Sequence, residues 1–365
     1  MRLGILLEQS LAPVPGGTGR YSIELSAALA RTGSSADTVR GWTAWHRDLG
    51  PAAVAGVRGP SRLPLPRRPL TAAWERGVGP APRGVDVLHA PTPFFPPRRQ
   101  PLVVTIHDTV PWTHAETLTQ RGARWHRAMA ARAAARADAI AVPTHAVADE
   151  LVGFLPGLSP DRVHVLGGGV ARALLDDPGD LRVAGLPDEF ILSLATLEPR
   201  KGLDVLIAAL GRMGHKAPTL VVAGQPGWGG VDPVQAADVA GVRDLRALGR
   251  MTDAQLGVIL RQARALVAPS RAEGFGLPVA EAMAVGTPVI CSDIPALAEV
   301  AGDAALLVPA GDDAALADAI LDLLGDDATR RKLSEAGRAR AGVFDWDEVA
   351  RRAWRLYHDV LQQAA

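Results

Sequence analysis

The chain has 365 residues, 48% of them apolar, which is more than one compact core usually holds, so two domains are expected. A single cysteine, Cys291, excludes an intrachain disulfide and fits a reducing compartment. No apolar run reaches the ~18 residues of a membrane span, and "MRLGILLEQS" turns polar too soon for a signal peptide, so a cytoplasmic location is expected.

The 39 basic and 39 acidic residues cancel, and no nucleic-acid partner is expected. The charges are unevenly spread, however. Residues 1–175 hold 20 arginines and no lysine against 12 acidic residues, and the remainder holds 19 basic against 27 acidic. A basic half facing an acidic half suggests different tasks. The basic half could meet an anionic acceptor or a membrane surface peripherally, or simply be a set of solvated faces. Lysine occurs only at positions 201, 216 and 332, so Lys201 stands out in a chain that otherwise uses arginine.

In chain order, "LGILLE" reads as a strand and "GRYSIELSAALART" as a helix, with Ile23, Ala27 and Ala30 near helical spacing. Residues 51–84, rich in Pro, Gly and Arg, read as a long loop or an excursion near the mouth of a site. "VDVLHA" and "LVVTIHD" are strands. "RGARWHRAMAARAAARADAI" is an Arg/Ala-rich helix whose Arg124, Arg127 and Arg132 read as a solvated face, with contact to an anionic acceptor or lipid as the second reading. "AIAVPT" and "DRVHVLGGGV" follow as strands, and 171–188 reads as a linker.

The alternation then restarts. "FILSLATL" is a strand, and Leu203, Leu206, Ile207 and Leu210 form one helix face. "TLVVAG" and "DLRALGR" are strands, and Thr252 with Gln255 forms a capping box for the next helix. "ARALVAPS" is a strand, a helix opens near Pro278, and "TPVICSD" is a strand. From Asp312 on the chain reads as helical. Strand and helix alternating twice predicts an α/β chain with two doubly wound parallel sheets. Ligands meet such sheets at the carboxyl ends of the strands, so the site is expected in the cleft between the domains.

The stretch "SRAEGFGLPVAEAMAVGTPVICSD" joins a strand to a helix through a loop with two glycines, so its backbone can fold closely around a ligand. The free amides of a helix N-terminus suit an anion, so Gly274, Phe275, Gly276 and Leu277 are expected donors to a diphosphate or to sugar hydroxyls. Glu281, one turn into the helix, can accept from the vicinal diol of a ribose, and Glu273 can reach the other end of the same ligand. A nucleotide sugar offers all of these groups. Arg200 and Lys201 follow a strand and precede a helix, where cations are otherwise unfavourable. There they can hold the diphosphate and stabilise the charge that grows as the sugar leaves. "DWD" at Asp345–Asp347 opens a helix, where Asp is an ordinary cap. No metal site stands out and no cofactor is expected.

"EGFGLPVAEAMAVGTPVICSD" resembles the donor-binding E-x7-E signature of family 4 glycosyltransferases. "LATLEPRKGLDVLIAAL" is similar to that family's phosphate-clamp segment, and "AGQPGWGG", "LGRMTDAQL" and "LAEVAGDAALLVPAGD" are similar to its neighbouring segments. "PGGTGRYSIEL", "HAPTPFFPP" and "VVTIHDTVPW" resemble its acceptor-side motifs more loosely. The resemblance implies the GT-B fold, two Rossmann-like domains with parallel sheets facing across a cleft. Residues 1–175 would bind the acceptor, 176–345 the nucleotide sugar, and a helix at 346–365 would cross back to the first domain.

The resemblance also implies that Gly16 and Gly17, in a loop after the first strand, let the backbone approach the donor phosphate. It assigns His107 and Asp108 to the acceptor, with His107 contacting the transferred sugar or the acceptor. The base would lie against the backbone at Gly249–Met251, bringing Arg250 and Met251 to the donor. The catalytic set is then His107, Arg200, Lys201 and Glu273. The expected reaction is retaining, metal-independent transfer of a hexose to a sugar, lipid-linked or small-molecule acceptor, with GDP-mannose first and UDP-glucose second as donor. A sugar-nucleotide epimerase and a non-catalytic nucleotide-sugar-binding protein are the alternatives.

Overall fold

The computed structural model describes residues 1–364. The chain divides into two units. The first holds Met1–Trp112, Gln120–Gly168 and the segment from Asp345 on, and the second holds Thr113–Thr119 and Gly169–Phe344. The division falls at 168/169 rather than 175/176. Val170 N–H bonds to the Phe344 carbonyl at 3.0 Å, and Leu174 is buried in the second unit's core.

The first unit runs β1 (Arg2–Leu6), α1 (Gly16–Thr32), β2 (Thr38–Trp45), β3 (Arg58–Pro66), α2 (Arg67–Glu75), β4 (Val87–Ala90), β5 (Leu102–Thr105), α3 (Val110–Thr113), α4 (Gln120–Arg136), β6 (Ala139–Val142), α5 (His145–Phe154) and β7 (Val163–Val165). Its sheet is parallel throughout, in the order β3-β2-β1-β4-β5-β6-β7. Strands β4, β5 and β6 are buried along their whole length. That is why they stand in the sequence as unbroken apolar runs.

The stretch 51–84 is not one long loop. Arg58–Pro66 forms the edge strand and Arg67–Glu75 a helix. Three prolines exclude "RGPSRLPLP" from a sheet interior but not from an edge, where one side of the strand needs no partner. The arginines of α4 are also not one solvated face. Arg127 Nε donates to Pro111 O at 2.6 Å. Arg132 caps the end of α2 by donating to the Trp74 and Glu75 carbonyls, and it lies over the Phe95 ring.

The second unit runs α6 (Arg172–Leu175), β8 (Ile191–Leu194), α7 (Leu203–Met213), β9 (Leu220–Ala223), α8 (Pro233–Ala240), β10 (Leu245–Gly249), α9 (Asp253–Gln262), β11 (Ala265–Ala268), α10 (Leu277–Val285), β12 (Val289–Ser292), α11 (Pro295–Ala301), β13 (Leu306–Val308), α12 (Asp313–Gly325) and α13 (Asp327–Ala341). Its parallel sheet has the order β10-β9-β8-β11-β12-β13. The Thr252/Gln255 capping box is present at α9. Both sheets reverse direction of growth once, between β1 and β4 and between β8 and β11. Doubly wound sheets bind ligands at such switch points, beyond the carboxyl ends of the strands.

The final helix, α14 (Trp346–Gln363), belongs to the first unit. Asp345 caps it by accepting from Asp347 N at 3.0 Å. Trp346, Val349, Ala350, Ala353, Trp354 and Tyr357 make its buried stripe at helical spacing. Trp354 Nε1 donates to Leu29 O on α1 at 3.2 Å.

Candidate active site

The switch point of the second sheet is built from two loops. One leaves β8 and carries Glu198, Arg200 and Lys201, and the other leaves β11 and carries Ser270 to Gly276. They are stapled together. Arg271 N donates to Arg200 O at 2.7 Å, and the Arg271 guanidinium reaches Pro199 O at 3.0 Å and both Asp204 oxygens at 2.8 and 2.6 Å. Gly202 turns the chain into α7 with φ 68°. A Cβ there would lie 1.9 Å from Pro269 O, so no larger residue fits this approach.

On this frame Glu273 sits between the two cations. Lys201 Nζ donates to its Oε1 at 2.6 Å, Ser270 Oγ to the same oxygen at 2.8 Å, and Arg200 to its Oε2 at 3.2 Å. Arg200 also reaches Ala272 O at 3.1 Å and Glu198 Oε1 at 2.9 Å. Burial pushes the Glu273 carboxyl up, but the Lys201 and Arg200 charges, with the hydrogen bonds from Lys201 and Ser270, outweigh burial and hold it at about 2. The cluster is thus two cations and two carboxylates, all largely buried.

The helix that follows is not capped by a side chain. Gly276 occupies its N-cap in the left-handed region with φ 88°, and Pro278 stands in its first turn. Pro278 has no N–H and Val279 N–H bonds to Gly276 O at 2.9 Å, so the donor at the head of α10 is the Leu277 amide, at the positive end of the helix. Glu281, on the first full turn, is buried. Gly249 ends β10, Arg250 is exposed and Met251 is half-buried against the core.

In the first unit, Gly16 and Gly17 are not in a loop but are the first two residues of α1, with Gly16 at φ 60° and Pro15 giving no side-chain cap. His107 lies two residues beyond β5. Its Nε2 is 2.7 Å from Pro91 O, a carbonyl that can only accept, so Nε2 carries the proton and Nδ1 the lone pair. Burial lowers the His107 pKa, against the Pro91 carbonyl and the Asp108 charge. Asp108 caps the next turn by accepting from Val110 N at 3.2 Å.

Two family profiles cover most of the chain. "Glycosyltransferase Family 4" matches residues 15–173, and "Glycosyl transferases group 1" matches 183–340. The chain belongs to glycosyltransferase family 4. It is 36% identical over 216 residues to the phosphatidyl-myo-inositol mannosyltransferase of Mycobacterium leprae, covering 56% of each chain. It is 35% identical over 173 residues to O-antigen chain mannosyltransferase B of Escherichia coli, covering 46% of this chain and 45% of that one. The matches thus span about half the length of these two relatives. To the phosphatidyl-myo-inositol mannosyltransferase of Mycobacterium tuberculosis it is 28% identical over 100% of this chain and 98% of that one. Sucrose-phosphate synthase from Thermosynechococcus elongatus superposes with TM-score 0.77 at 21% identity, covering 100% of both chains. Anabaena HepE bound to UDP and glucose superposes with TM-score 0.76 at 19% identity, over 98 and 99%. The two parallel sheets are those of the GT-B fold.

In this family 4 chain the structure brings Arg200, Lys201 and Glu273 into direct contact and sets the Gly274–Leu277 loop beside them. Sequence reading alone does not single out Ser270, Glu198, Arg271 or Asp204. Ser270, three residues before Glu273, carries a local signal. The Arg271–Asp204 pair and the Arg200–Glu198 pair depend on the loops' folded geometry, which no spacing announces.

Proposed function

We propose that this chain is a retaining glycosyltransferase. It would move a hexosyl group, mannose from GDP-mannose in the first instance, to a hydroxyl on a lipid, glycan or small-molecule acceptor. The observation that carries this reading is the Arg200–Lys201–Glu273 cluster, held at the switch point beside the uncapped N-terminus of α10. A diphosphate leaving group gains negative charge as the sugar C1–O bond breaks. Two preorganised cations, with the backbone of the Gly274–Leu277 loop, stabilise that charge more in the transition state than before it. In this reading Glu281 binds the ribose diol, Gly274 to Leu277 bind the diphosphate, and the backbone at Gly249–Met251, with Arg250, borders the base. Gly16 and Gly17 offer backbone amides to the donor phosphate, and His107 and Asp108 serve the transferred sugar and the acceptor. The acceptor oxygen attacks C1 on the face the phosphate leaves. The acceptor's proton passes to the departing phosphate oxygen, so no protein nucleophile is assigned. Because the charge is met by Arg200, Lys201 and the Gly274–Leu277 backbone, no divalent cation is required.

The names of the relatives support mannose as the sugar and a lipid or polysaccharide chain as acceptor. No helix among the described residues is long and apolar enough to cross a membrane. The arginine excess of residues 1–175 supports peripheral contact with an anionic inner leaflet.

The reading is tested by thermal shift with GDP, UDP, ADP and dTDP, with and without magnesium, followed by nuclear magnetic resonance of the product's anomeric centre. Ligands that bind only the folded state raise Tm. A GDP-selective, magnesium-independent shift and a product of unchanged anomeric configuration are expected. A UDP-selective shift would replace the donor, a magnesium requirement would refute the metal-free clamp, and an inverted product would refute retention.

A further inference from the structure

The first unit buries a polar chain that the roles above do not use. His89 lies on β4 with no exposed surface. Its Nδ1 is 2.6 Å from the Tyr357 hydroxyl on α14, and its Nε2 is 2.8 Å from Thr105 Oγ1 on β5. Burial, with the nearby His107 adding to it, lowers the His89 pKa to about 3, so the ring is neutral. A neutral imidazole has one N–H and one lone pair, so one hydroxyl must donate to it and the other accept from it. The chain therefore has a direction. It ends at Thr105, the last residue of β5 and two residues before His107.

A second route runs through rings. Tyr21 stands edge-on to His107, with centroids 4.7 Å apart and planes at 81°. Tyr21 also stands edge-on to Trp346, the first residue of α14, at 5.3 Å and 75°. Both routes start on the last helix; one ends on β5 just before His107, and the other on Tyr21, which touches the His107 ring. The hydrogen bond to Pro91 sets the His107 tautomer only while the ring aims Nε2 at that carbonyl, and this single contact at the ring's far end does not by itself keep the ring from swinging away about Cβ–Cγ. The edge contact from Tyr21 removes that freedom.

We propose that Tyr21 is the positioning residue for His107, and that α14 holds the pair in place through the Trp346 ring against Tyr21 and through the Tyr357–His89–Thr105 chain, which anchors β5 two residues before His107. Buried hydrogen-bonded networks of this kind set one geometry rather than adding much stability. The inference rests on the reading that His107 meets the substrate.

The test reads His107 directly. Ring nitrogen resonances of His107, assigned with His107→Asn, are recorded in the wild type, Tyr21→Leu, His89→Gln and Tyr357→Phe proteins. GDP release from GDP-mannose is measured in parallel. In the wild type the proton sits on Nε2, and in Tyr21→Leu and His89→Gln the two tautomers mix. Turnover falls roughly tenfold to hundredfold, as expected for a misplaced group, while KM for the donor stays within about twofold. Tyr357→Phe keeps the volume of the helix core and gives the same change in smaller measure, which guards against variants that fail to fold. Adding His107→Asn to Tyr21→Leu costs little more, because both act through one group. Unchanged His107 resonances in Tyr21→Leu and Tyr357→Phe overturn the proposal, as do fully additive Tyr21→Leu and His107→Asn losses. If the tautomer moves but His107→Asn leaves turnover intact, the positioning stands and the substrate role of His107 fails.

Discussion

Glu273→Gln tests the charge cluster without involving any ligand. The substitution keeps size and shape but removes the negative charge that Lys201 and Arg200 face. The folded carboxyl titrates at about 2 against an ordinary 4.5. At ~1.4 kcal/mol per unit, the ionised form contributes about 3 kcal/mol of stability at pH 7. A folded pKa below the unfolded one gives stability that is present above the unfolded value and lost as pH falls through the folded one. The gap between wild type and Glu273→Gln is therefore full above about pH 4.5, shrinks to about 1.4 kcal/mol near pH 3 and closes around pH 2. At pH 7 it should lower the Tm of the second unit by about 6–12 °C. Urea unfolding of both proteins at pH 7, 5, 4 and 3, followed by circular dichroism, measures the gap. A gap below about 1 kcal/mol at pH 7, or one that stays constant down to pH 3, would refute the argument that two buried cations hold this carboxylate ionised.

Lys201→Ala should lower turnover by roughly 10²–10³ while changing donor affinity far less, because the ammonium acts mainly on developing charge; normal kcat in steady-state kinetics would contradict the clamp. Glu281→Ala should weaken nucleotide binding in calorimetry, since the ribose diol loses its acceptor, and an unchanged Kd would sink that role. Gly202→Ala should destabilise the second unit by roughly 1–3 kcal/mol from backbone strain alone, with more from the collision with Pro269 O, and should abolish nucleotide-induced thermal shifts. A variant with wild-type Tm and nucleotide response would show that the close approach of the two loops is dispensable.

The second sheet was readable in the sequence because each strand flanking its switch point is buried on both faces. "FILSL" and "ALVA" then appear as unbroken apolar runs between glycines, prolines and charges. The edge of the first sheet was not readable for the converse reason. With one neighbour and partial solvent exposure, β3 can be made of arginine and proline. Gly16 and Gly17 read as loop residues, because glycine signals a turn, yet they begin a helix whose first turn leaves its amides open. Among the site residues, Arg200, Lys201 and Glu273 were legible as chemistry next to strand ends. Their mutual contact was not, since it depends on β8 and β11 being neighbours across 70-odd residues of intervening chain. The same holds for Tyr21, whose ring meets His107 and Trp346 from two distant segments, the second because α14 lies on α1.

The placement of α14 has a consequence for synthesis and for dissection of the chain. Its buried Trp346, Trp354 and Tyr357 belong to the core of the unit that is translated first. That unit cannot close until the whole of the second unit has left the ribosome, so the second unit, complete at Phe344, is free to fold ahead of it. A fragment ending at Phe344 would keep the Arg200–Lys201–Glu273 cluster and leave the first sheet with an open apolar face. Joining residues 346–363 to 1–168 by a short linker would close that face again, but it would leave Thr113–Thr119 without the second-unit segments it packs with.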